Sequence, residues 1–371
     1  MNQTFQWLGK LAILLVAGYF TGQYLKSLGE DDPLRGVSWW ALLAVWPVGW
    51  LMVMWHELGH AVGGWWNGWR LYLLAAGPLR WMRSGTELQV RWNDRMALWG
   101  GLTVMAPVSA GSADAVRAGL VRMVLGGPLF SLIGAVVLLV PAYLWEDGDP
   151  SWRLLLWWAG GLSFLIFVVT LIPMTTGGFR NDGKWLVDLL GNDRAGIERI
   201  CSLAMLAGLS QSSRPRDWPR DLVLACAPEL GDHTADGVSA ALLRCCYHED
   251  KQELGEAREW IADALAGRRA WPEIKRPILY ATAALVHAKL GDAGRAREYF
   301  DEAGDGGGGL LDEYTMLHTK AFVLAAEGDR TAAREAALAA LERLPKQIKM
   351  IQDAARADLE GIAGRSESRQ Q

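Results

Sequence analysis

The chain has 371 residues, a formal net charge of −4 and a hydrophobic content of 51%. This acidic balance, without an Arg/Lys-rich stretch interleaved with aromatic residues, argues against a nucleic-acid-binding protein. The composition divides the chain into two unlike halves, because 17 of the 20 Trp lie at or before Trp185, together with the long apolar runs. The remainder is rich in Ala, Glu, Arg and Asp. These halves predict a membrane-embedded part followed by a water-soluble part.

Four apolar segments are long enough to cross a bilayer as helices, which takes about 20 residues. They cover approximately residues 8–25, 37–66, 121–145 and 152–173. A signal peptide is the alternative for the first segment, but no A-x-A-like cleavage site follows it, so we interpret it as a retained anchor. The predicted fold class is mainly α: a polytopic transmembrane helix bundle of about four spans with a small membrane-associated β element, followed by a soluble α-helical repeat domain.

The charges of the loops predict the orientation of this bundle. The loop between the second and third spans carries Arg70, Arg80, Arg83, Arg91, Arg95 and Arg117. The turn after the third span carries Glu146, Asp147 and Asp149. Because positively charged loops remain in the cytoplasm, the arginine-bearing loop is predicted to be cytoplasmic, and both termini then lie on the same side.

The second span contains the sequence His56-Glu57-Leu58-Gly59-His60, an H-E-x-x-H zinc-protease signature. Two His four residues apart share one face of a helix and can bind one Zn²⁺, and the intervening Glu57 can take a proton from a water held by the ion. With only six His in the chain, chance produces such a match about one time in two hundred. The alternative, a His pair hydrogen-bonded within a helix bundle, is disfavoured because unused ionisable groups are costly in lipid.

A catalytic zinc needs three protein ligands and an open position. The predicted topology returns the chain to the cytoplasmic face after Pro173, and Asn181-Asp182-Gly183 follows there. Asp182 is therefore the candidate third ligand. An Asp before a Gly is also common in turns, and the residues alone leave the two interpretations open. The other four His, namely His233, His248, His287 and His318, show no zinc-finger spacing and are interpreted as ordinary surface or packing residues.

Three features together resemble the site-2 protease family of intramembrane zinc metalloproteases: the HELGH sequence in a transmembrane helix, residues 126–131 (GGPLFS) opening another helix, and the later Asp182-Gly183. The resemblance covers approximately residues 37–190. It implies that His56, His60 and Asp182 bind one Zn²⁺ per chain, that Glu57 is the general base, and that the substrate is a membrane protein or peptide. The expected location is the plasma membrane of a prokaryote, as a multi-pass protein.

The chain departs from the family pattern near the third ligand. The family commonly has an Asn three residues before a Pro, whereas this chain has Thr170 before Pro173, and Gly177-Gly178 lengthen the run to Asp182. An amide that helps to hold a substrate strand is therefore missing at the matching position, and Asn181 is the alternative source.

Two short strands are predicted in the loop between the second and third spans, at residues 71–74 and 87–92. An exposed edge there can hold an extended substrate by strand addition; a plain amphipathic membrane-surface loop is the alternative, and the family resemblance favours the strands. Gly126-Gly127-Pro128 and Ala159-Gly160-Gly161 are predicted to serve helix packing, since small residues let transmembrane helices approach closely. Direct substrate contact is the alternative for the first of these.

The second half begins with a helical pattern at residues 194–206 and a Ser/Arg/Pro-rich linker at 210–219. The triplet Ala-Arg-Glu then recurs from Ala257, Ala296 and Ala333, the last two preceded by Gly-Asp turns. This pattern resembles degenerate tetratricopeptide repeats, whose helix pairs stack into a concave surface. The surface docks a protein partner or regulates access to the protease; a plain cytoplasmic cap is the alternative. The predicted domains are 1–190, with the catalytic core at about 37–190, a helix and linker at 191–220, and the helical domain at 221–371.

Three functions are considered. The first is an intramembrane zinc metalloendopeptidase that hydrolyses peptide bonds of membrane proteins, with no nucleic-acid partner. The second is a non-catalytic membrane scaffold or pseudoprotease that recruits partners through its helical repeats. The third, a conventional zinc protease facing water, is disfavoured because the residues before His56 are almost uninterruptedly apolar.

Overall fold

The computed structural model is mainly helical and describes residues 36–84, 87–93, 98–109, 111–145, 148–176, 179–210, 213–227, 229–304, 311, 313–344 and 349–364. Within these ranges, three helices are long and apolar enough to cross a membrane. They are α1 (Trp39–Trp66), α2 (Ala113–Leu144) and α3 (Pro150–Leu171). They match the second, third and fourth predicted spans, whereas the first predicted span lies outside the described residues.

The starts of α2 and α3 are fixed by capping residues. The Ser112 side chain accepts a hydrogen bond from the Ala115 N–H at 3.2 Å, so α2 begins eight residues before the predicted apolar segment. Asp149 caps α3 by accepting from the Ser151 and Trp152 N–H groups, and Pro150 occupies the first helical position. Both arrangements satisfy backbone donors that a helix start otherwise leaves unpaired.

The three long helices pack through glycines. A Cβ placed on Gly126 of α2 would lie 2.1 Å from the Gly59 carbonyl oxygen of α1, and one on Gly160 of α3 would lie 2.7 Å from the Leu139 side chain. The backbones of α1 and α2 are therefore in direct contact, as small residues permit in membranes. The packing role predicted for Gly126 and Gly160 is confirmed. It is wrong for Gly161, which has open space beside it.

The loop between α1 and α2 folds into a four-stranded antiparallel sheet of order β3-β2-β1-β4. Its strands are β1 (Arg70–Ala76), β2 (Leu79–Ser84), β3 (Glu87–Trp92) and β4 (Leu102–Ala106). The sequence predicted only β1 and β3. Gly77, with φ of +54°, closes a tight turn that pairs β2 directly with β1, and β4 returns to pair with the other side of β1. β1 is thus interior, while β3 and β4 are the edges.

After α3 the chain forms a two-stranded hairpin of β5 (Thr175–Thr176) and β6 (Phe179–Arg180), then α4 (Asp182–Leu190) and α5 (Arg194–Leu209). The buried face of α5 carries Ile197, Ile200, Cys201 and Met205, which join one core cluster with residues of α1, β1 and α2. Its Leu206 belongs to the next cluster along the chain. The segment predicted as helix and linker is therefore helical to Leu209 and shares its core with α1, β1 and α2.

The second half is built of short helices. They are α6 (Arg220–Cys226), α7 (Ala235–Asp250), α8 (Leu254–Ala266), α9 (Arg276–Lys289), α10 (Ala293–Ala303), α11 (Glu313–Ala326), α12 (Arg330–Glu342) and α13 (Lys349–Ala363). Helices α7 and α8, α9 and α10, and α11 and α12 pack as successive hairpins. Each second helix carries one Ala-Arg-Glu triplet, and its Ala is at most 1% exposed.

The two predicted Gly-Asp turns connect the helices of the later hairpins. Gly291 and Gly328 end α9 and α11 with φ values of +78° and +85°, a conformation that glycine adopts without strain. Asp292 and Asp329 then cap α10 and α12 by accepting hydrogen bonds from Arg295 and Ala332 N–H groups. The extra length between the first two triplets lies between α8 and α9, where a 3₁₀ turn (Glu273–Lys275) follows the buried Trp271.

Candidate metal centre

His56 and His60 lie one turn apart on α1, with their Nε2 atoms separated by 3.2 Å. Both residues are buried, at 5% and 7% exposure. Their other ring nitrogens are held by α2: His56 Nδ1 lies 2.8 Å from Ser131 Oγ, and His60 Nδ1 lies 2.9 Å from the Met123 carbonyl oxygen. The contact between α1 and α2 thus sets the orientation of both rings.

These partners indicate the tautomers. A carbonyl oxygen only accepts, so His60 Nδ1 must carry a proton and donate it to Met123. In a neutral His60 ring the lone pair is then at Nε2. Ser131 Oγ is able to accept from His56 Nδ1 in the same way, which leaves a second lone pair at His56 Nε2. Second partners of this kind are typical of metal-binding imidazoles, because they fix the tautomer and the ring orientation.

Asp182 reaches the same point from the first turn of α4. Its Oδ2 lies 3.2 Å from His56 Nε2, and its Oδ1 lies 3.3 Å from His60 Nε2. Oδ2 is buried and has no hydrogen-bond partner, so the short distance to His56 is not an aligned hydrogen bond. The structure therefore brings the candidate third ligand together with the two His.

The turn that delivers Asp182 is held by Asn181. Its Oδ1 accepts from the Met174 and Lys184 N–H groups, and its Nδ2 donates to the Ile172 carbonyl at 2.6 Å. Asn181 therefore caps α4 and ties it to the end of α3, which leaves its amide engaged within the chain. Thr170 is similarly engaged, because its hydroxyl lies 3.4 Å from the Phe167 carbonyl.

Gly183 allows this close junction. A Cβ at Gly183 would lie 2.2 Å from the Leu171 carbonyl oxygen at the end of α3. Asp182 and Gly183 thus begin helix α4 and do not form the turn that was the alternative interpretation; the glycine permits a tight approach, and the Asp side chain faces the imidazoles.

The three groups fit a metal ion. The two imidazole lone pairs lie 3.2 Å apart, and each has a different oxygen of the Asp182 carboxylate at 3.2 or 3.3 Å, so these groups repel unless a cation or a proton lies between them. Ligands about 2.0 Å from a tetrahedral zinc are about 3.3 Å apart, the separation seen here. A proton shared between the rings is the alternative, but it leaves the buried Asp182 Oδ2 unpaired. The His-Glu-His group on α1 is thus able to bind a metal ion.

Glu57 belongs to the same group, with a carboxylate oxygen within 4.8 Å of the ring nitrogens. Thr103 of β4 donates to Glu57 Oε2 at 2.6 Å, and a Cβ on Gly101 would lie 2.2 Å from Oε1. The sheet therefore holds the carboxylate in place. Asp182 has one oxygen within 3.3 Å of each imidazole Nε2, so both Asp182 and Glu57 are candidates for the third ligand.

Gly127 lies directly against the imidazoles. A Cβ there would come 2.4 Å from His60 Nε2 and 2.8 Å from His56 Nε2, so any side chain at this position would enter the metal centre. The prediction that Gly126-Gly127-Pro128 serves packing therefore applies to Gly126, whereas Gly127 keeps space open beside the ring nitrogens.

The other four His lie away from this centre. His233, His248 and His287 are near Asp263, Glu253 and Asp292, and His318 packs between Tyr314 and Phe322. Sequence reasoning missed Ser131, Met123 and Thr103, whose contacts with α1 span 46 to 75 residues of chain. Only Ser131 carried a signal, because it ends the GGPLFS motif.

Comparison with protein families, with curated proteins and with solved structures gives no match.

Proposed function

We propose that this chain is a zinc metalloendopeptidase of the site-2 protease family that cleaves membrane-protein substrates within the bilayer. The observation that carries the proposal is the meeting of His56 and His60, on a helix apolar enough to span a membrane, with Asp182 of α4 at 3.2 to 3.3 Å. These side chains would hold one Zn²⁺ per chain, with Glu57 beside it.

A zinc ion bound there would polarise a peptide carbonyl and activate water. Glu57 acts as the general base, taking a proton on its carboxylate and passing it to the leaving amine. Thr103 supports this role, because its hydrogen bond to Oε2 fixes the carboxylate and leaves Oε1 for the transfer. The burial of both His and Glu57 excludes bulk water from the reacting groups.

A substrate must be extended near the site, because peptide bonds within a helix are shielded. The edge strand β4 is suited to hold it, since Thr103 in β4 contacts Glu57 directly and the sheet order leaves β4 at an edge. The other edge, β3, is three strands away, or about 14 Å at the usual strand spacing. Strand addition is therefore proposed at β4.

The proposed topology has four spans, counting residues 8–25, with both termini in the cytoplasm. The arginines of the α1–α2 loop support this orientation, as does the position of α4 and α5 beside that loop. The proposed location is the plasma membrane of a prokaryote.

The hairpins α7 to α12 are proposed to form a tetratricopeptide-like repeat domain that docks a protein partner. The equivalent buried Ala257, Ala296 and Ala333 support this, because small residues at matched positions let successive helix pairs stack.

The test combines metal analysis with proteomics. Detergent-purified wild type is expected to contain about one zinc per chain, and Glu57→Gln should retain it while abolishing cleavage of membrane proteins that only the wild type trims. Glu259→Gln, on an exposed face of α8, is the matched control and should behave as wild type. Zinc-free protein, or cleavage that persists in Glu57→Gln, would refute the proposal. Protein without zinc whose cellular effect survives His56→Ala would instead favour a scaffold or pseudoprotease.

A further inference from the structure

The strand β6 consists of Phe179 and Arg180, and Arg180 precedes Asp182 by only two residues. Its hairpin partner β5 pairs Thr175 with Arg180. This short hairpin is the connection through which α3 leads to the third candidate ligand. Whatever holds β6 therefore acts close to the Asp182 carboxylate.

Arg180 is held by the helical region of the second half. Its Nη1 and Nη2 donate to the two carboxylate oxygens of Asp236 at 2.7 and 2.6 Å. Asp236 lies in the first turn of α7, where a negative charge is favoured by the helix dipole. Such a bidentate pair fixes both distance and plane. The hydrogen bonds that the Arg180 guanidinium donates to Asp236 raise its pKa above the usual value.

The same guanidinium also contacts α4. Its Nε lies 2.9 Å from Asp188 Oδ2, as an ion pair without hydrogen-bond alignment, and its Cζ lies 5.0 Å from the centre of the Trp185 ring. Arg180 thus bridges α7 to the helix whose first turn carries Asp182. The two side chains of the Arg180–Asp236 pair are only 21% and 19% exposed, so water screens the pair weakly.

Phe179, the other residue of β6, is held from the same side. The Lys275 ammonium lies 5.2 Å from the centre of the Phe179 ring, and 5.8 Å from that of Trp271. Both residues of β6 therefore contact the helical region: Arg180 through an ion pair and Phe179 through a cation–π contact.

We propose that Arg180 and Asp236 are positioning residues for the third metal ligand, so that the docking of α7 on β6 sets the metal affinity of the centre inside the membrane. The inference rests on the proposed metal site. It makes the helical region part of the metal centre, in addition to any surface that it offers to a partner.

Loss of the Arg180–Asp236 pair should move Asp182, because Arg180 lies two residues before it in the chain. Asp182 reaches His56 and His60 from a separate helix, and α4 is short, with nine residues. Loss of Asp236 leaves the Arg180 charge half-buried without its main partner, and the residue then moves toward water. That movement displaces the chain two residues before Asp182. Changes to residues that orient metal ligands typically lower metal affinity by about 10-fold to 100-fold.

The test measures zinc affinity of the full chain in detergent, by competition with a chelator. Asp236→Asn is expected to weaken zinc binding by about 10-fold to 100-fold, and Asp236→Glu, which keeps a carboxylate, should restore part of the loss. The matched control is Asp250→Asn, because Asp250 lies at the other end of α7 and pairs with Arg214 in the same chemistry, away from β6. It should leave zinc affinity unchanged.

Thermal unfolding distinguishes positioning from general instability. If Asp236→Asn and Asp250→Asn lower the melting temperature alike but only the first weakens zinc binding, the inference holds. If Asp236→Asn folds poorly, Arg180→Lys replaces it, since lysine keeps the charge but loses the two-point contact. Unchanged zinc affinity in the folded variants, or equal losses in the control, overturns the inference.

Hydrogen exchange provides a readout that needs no metal. In Asp236→Asn the amides of the first turn of α4 should exchange about 10-fold faster or more, as local opening becomes easier, whereas Asp250→Asn leaves them unchanged. If purified wild-type protein contained no zinc, the proposed metal function would be refuted. The exchange result would still decide whether Asp236 holds the segment that carries Asp182. Unchanged exchange in Asp236→Asn would refute that support.

Discussion

The three helices that are long and apolar enough to cross a membrane pack differently from the helices of the second half. At the crossing of α1 and α2, Gly59 and Gly126 bring two backbones into contact, with a Cβ at either glycine about 2 Å from the opposing carbonyl oxygen. In the hairpins α7 to α12, the matched buried residues are Ala257, Ala296 and Ala333. Lipid provides no hydrophobic driving force between helices, so direct backbone packing takes its place. In water, burial of apolar side chains supplies that force.

This difference determines how each region tolerates change. The candidate metal centre depends on one crossing, because Ser131 and Met123 of α2 hold the rings of the His on α1. Away from the Arg180–Asp236 pair at the start of α7, the hairpins distribute their packing over several helices, and among the described residues of α10 to α12 no contact reaches β6. A disturbance of equal size should therefore abolish metal binding at the α1–α2 crossing and only lower stability in α10 to α12.

The largest effect is expected for Gly126→Ala. The added Cβ would lie 2.1 Å from the Gly59 carbonyl oxygen, and backbone atoms on both sides leave no flexible group to yield. The helices must separate, at a cost at or above the usual 1 to 3 kcal/mol or so for overpacking. Zinc affinity should fall by about 100-fold or more. Gly161→Ala on α3, with open space, is the control; wild-type affinity in Gly126→Ala would contradict the comparison.

A smaller effect is expected for Gly183→Ala. Its Cβ would meet the Leu171 carbonyl oxygen at 2.2 Å and push the first turn of α4, with Asp182, away from α3. Zinc affinity, measured by chelator competition, should fall by about 10-fold to 100-fold. Gly255→Ala is the matched control, because Gly255 is also the second residue of a helix but has open space. Equal zinc affinities in the two variants would be evidence against the role of the α3–α4 junction.

Ala333→Leu tests the other side of the comparison. Ala333 is 1% exposed, so the larger side chain overpacks the last hairpin and should destabilise it by about 1 to 3 kcal/mol. Zinc content should not change, because the α9–α10 hairpin lies between α12 and the hairpin that carries Asp236. Ala325→Leu, at an exposed position of α11, should have little effect on melting. Loss of zinc in Ala333→Leu would show that the two regions are coupled more widely than the contacts at β6.

The smallest effect is expected for Asp329→Ala. The Asp329 side chain accepts a hydrogen bond from the Ala332 N–H at 3.0 Å and caps α12. Its removal should cost about 1 kcal/mol of stability, measured by thermal or denaturant unfolding. Asp329→Asn keeps the acceptor and should be close to wild type. If both variants lose the same stability, the charge of Asp329 and not its capping hydrogen bond stabilises α12.

Some of this organisation could be predicted from the sequence. The spans α1 to α3 followed from uninterrupted apolar runs, and the starts of α10 and α12 followed from Gly-Asp pairs, because these signals are local. The strands β2 and β4 could not be predicted in the same way. β2 mixes Arg and apolar residues, and β4 pairs with β1 across about 30 residues of chain, which no local pattern encodes.

The candidate metal centre likewise has a part that the sequence predicts and a part that only the structure shows. Its two His and Glu57 lie within five residues of sequence and were identified from spacing alone. The proximity of Asp182 required a topological argument, and its distances to the imidazoles could only come from the structure. The contacts of Thr103 and Arg180 depend on long-range packing, so composition and periodicity gave no indication of them.

The hydrogen bond from Asn181 to the Ile172 carbonyl links the start of α4, and with it Asp182, to the end of α3. A helix accommodates a bilayer thinner than its apolar length by tilting. Tilting of α3 carries the acidic group along, whereas the imidazoles stay with α1. If α3 spans a bilayer, we therefore expect the thickness of that bilayer to change the distance between Asp182 and the two imidazoles.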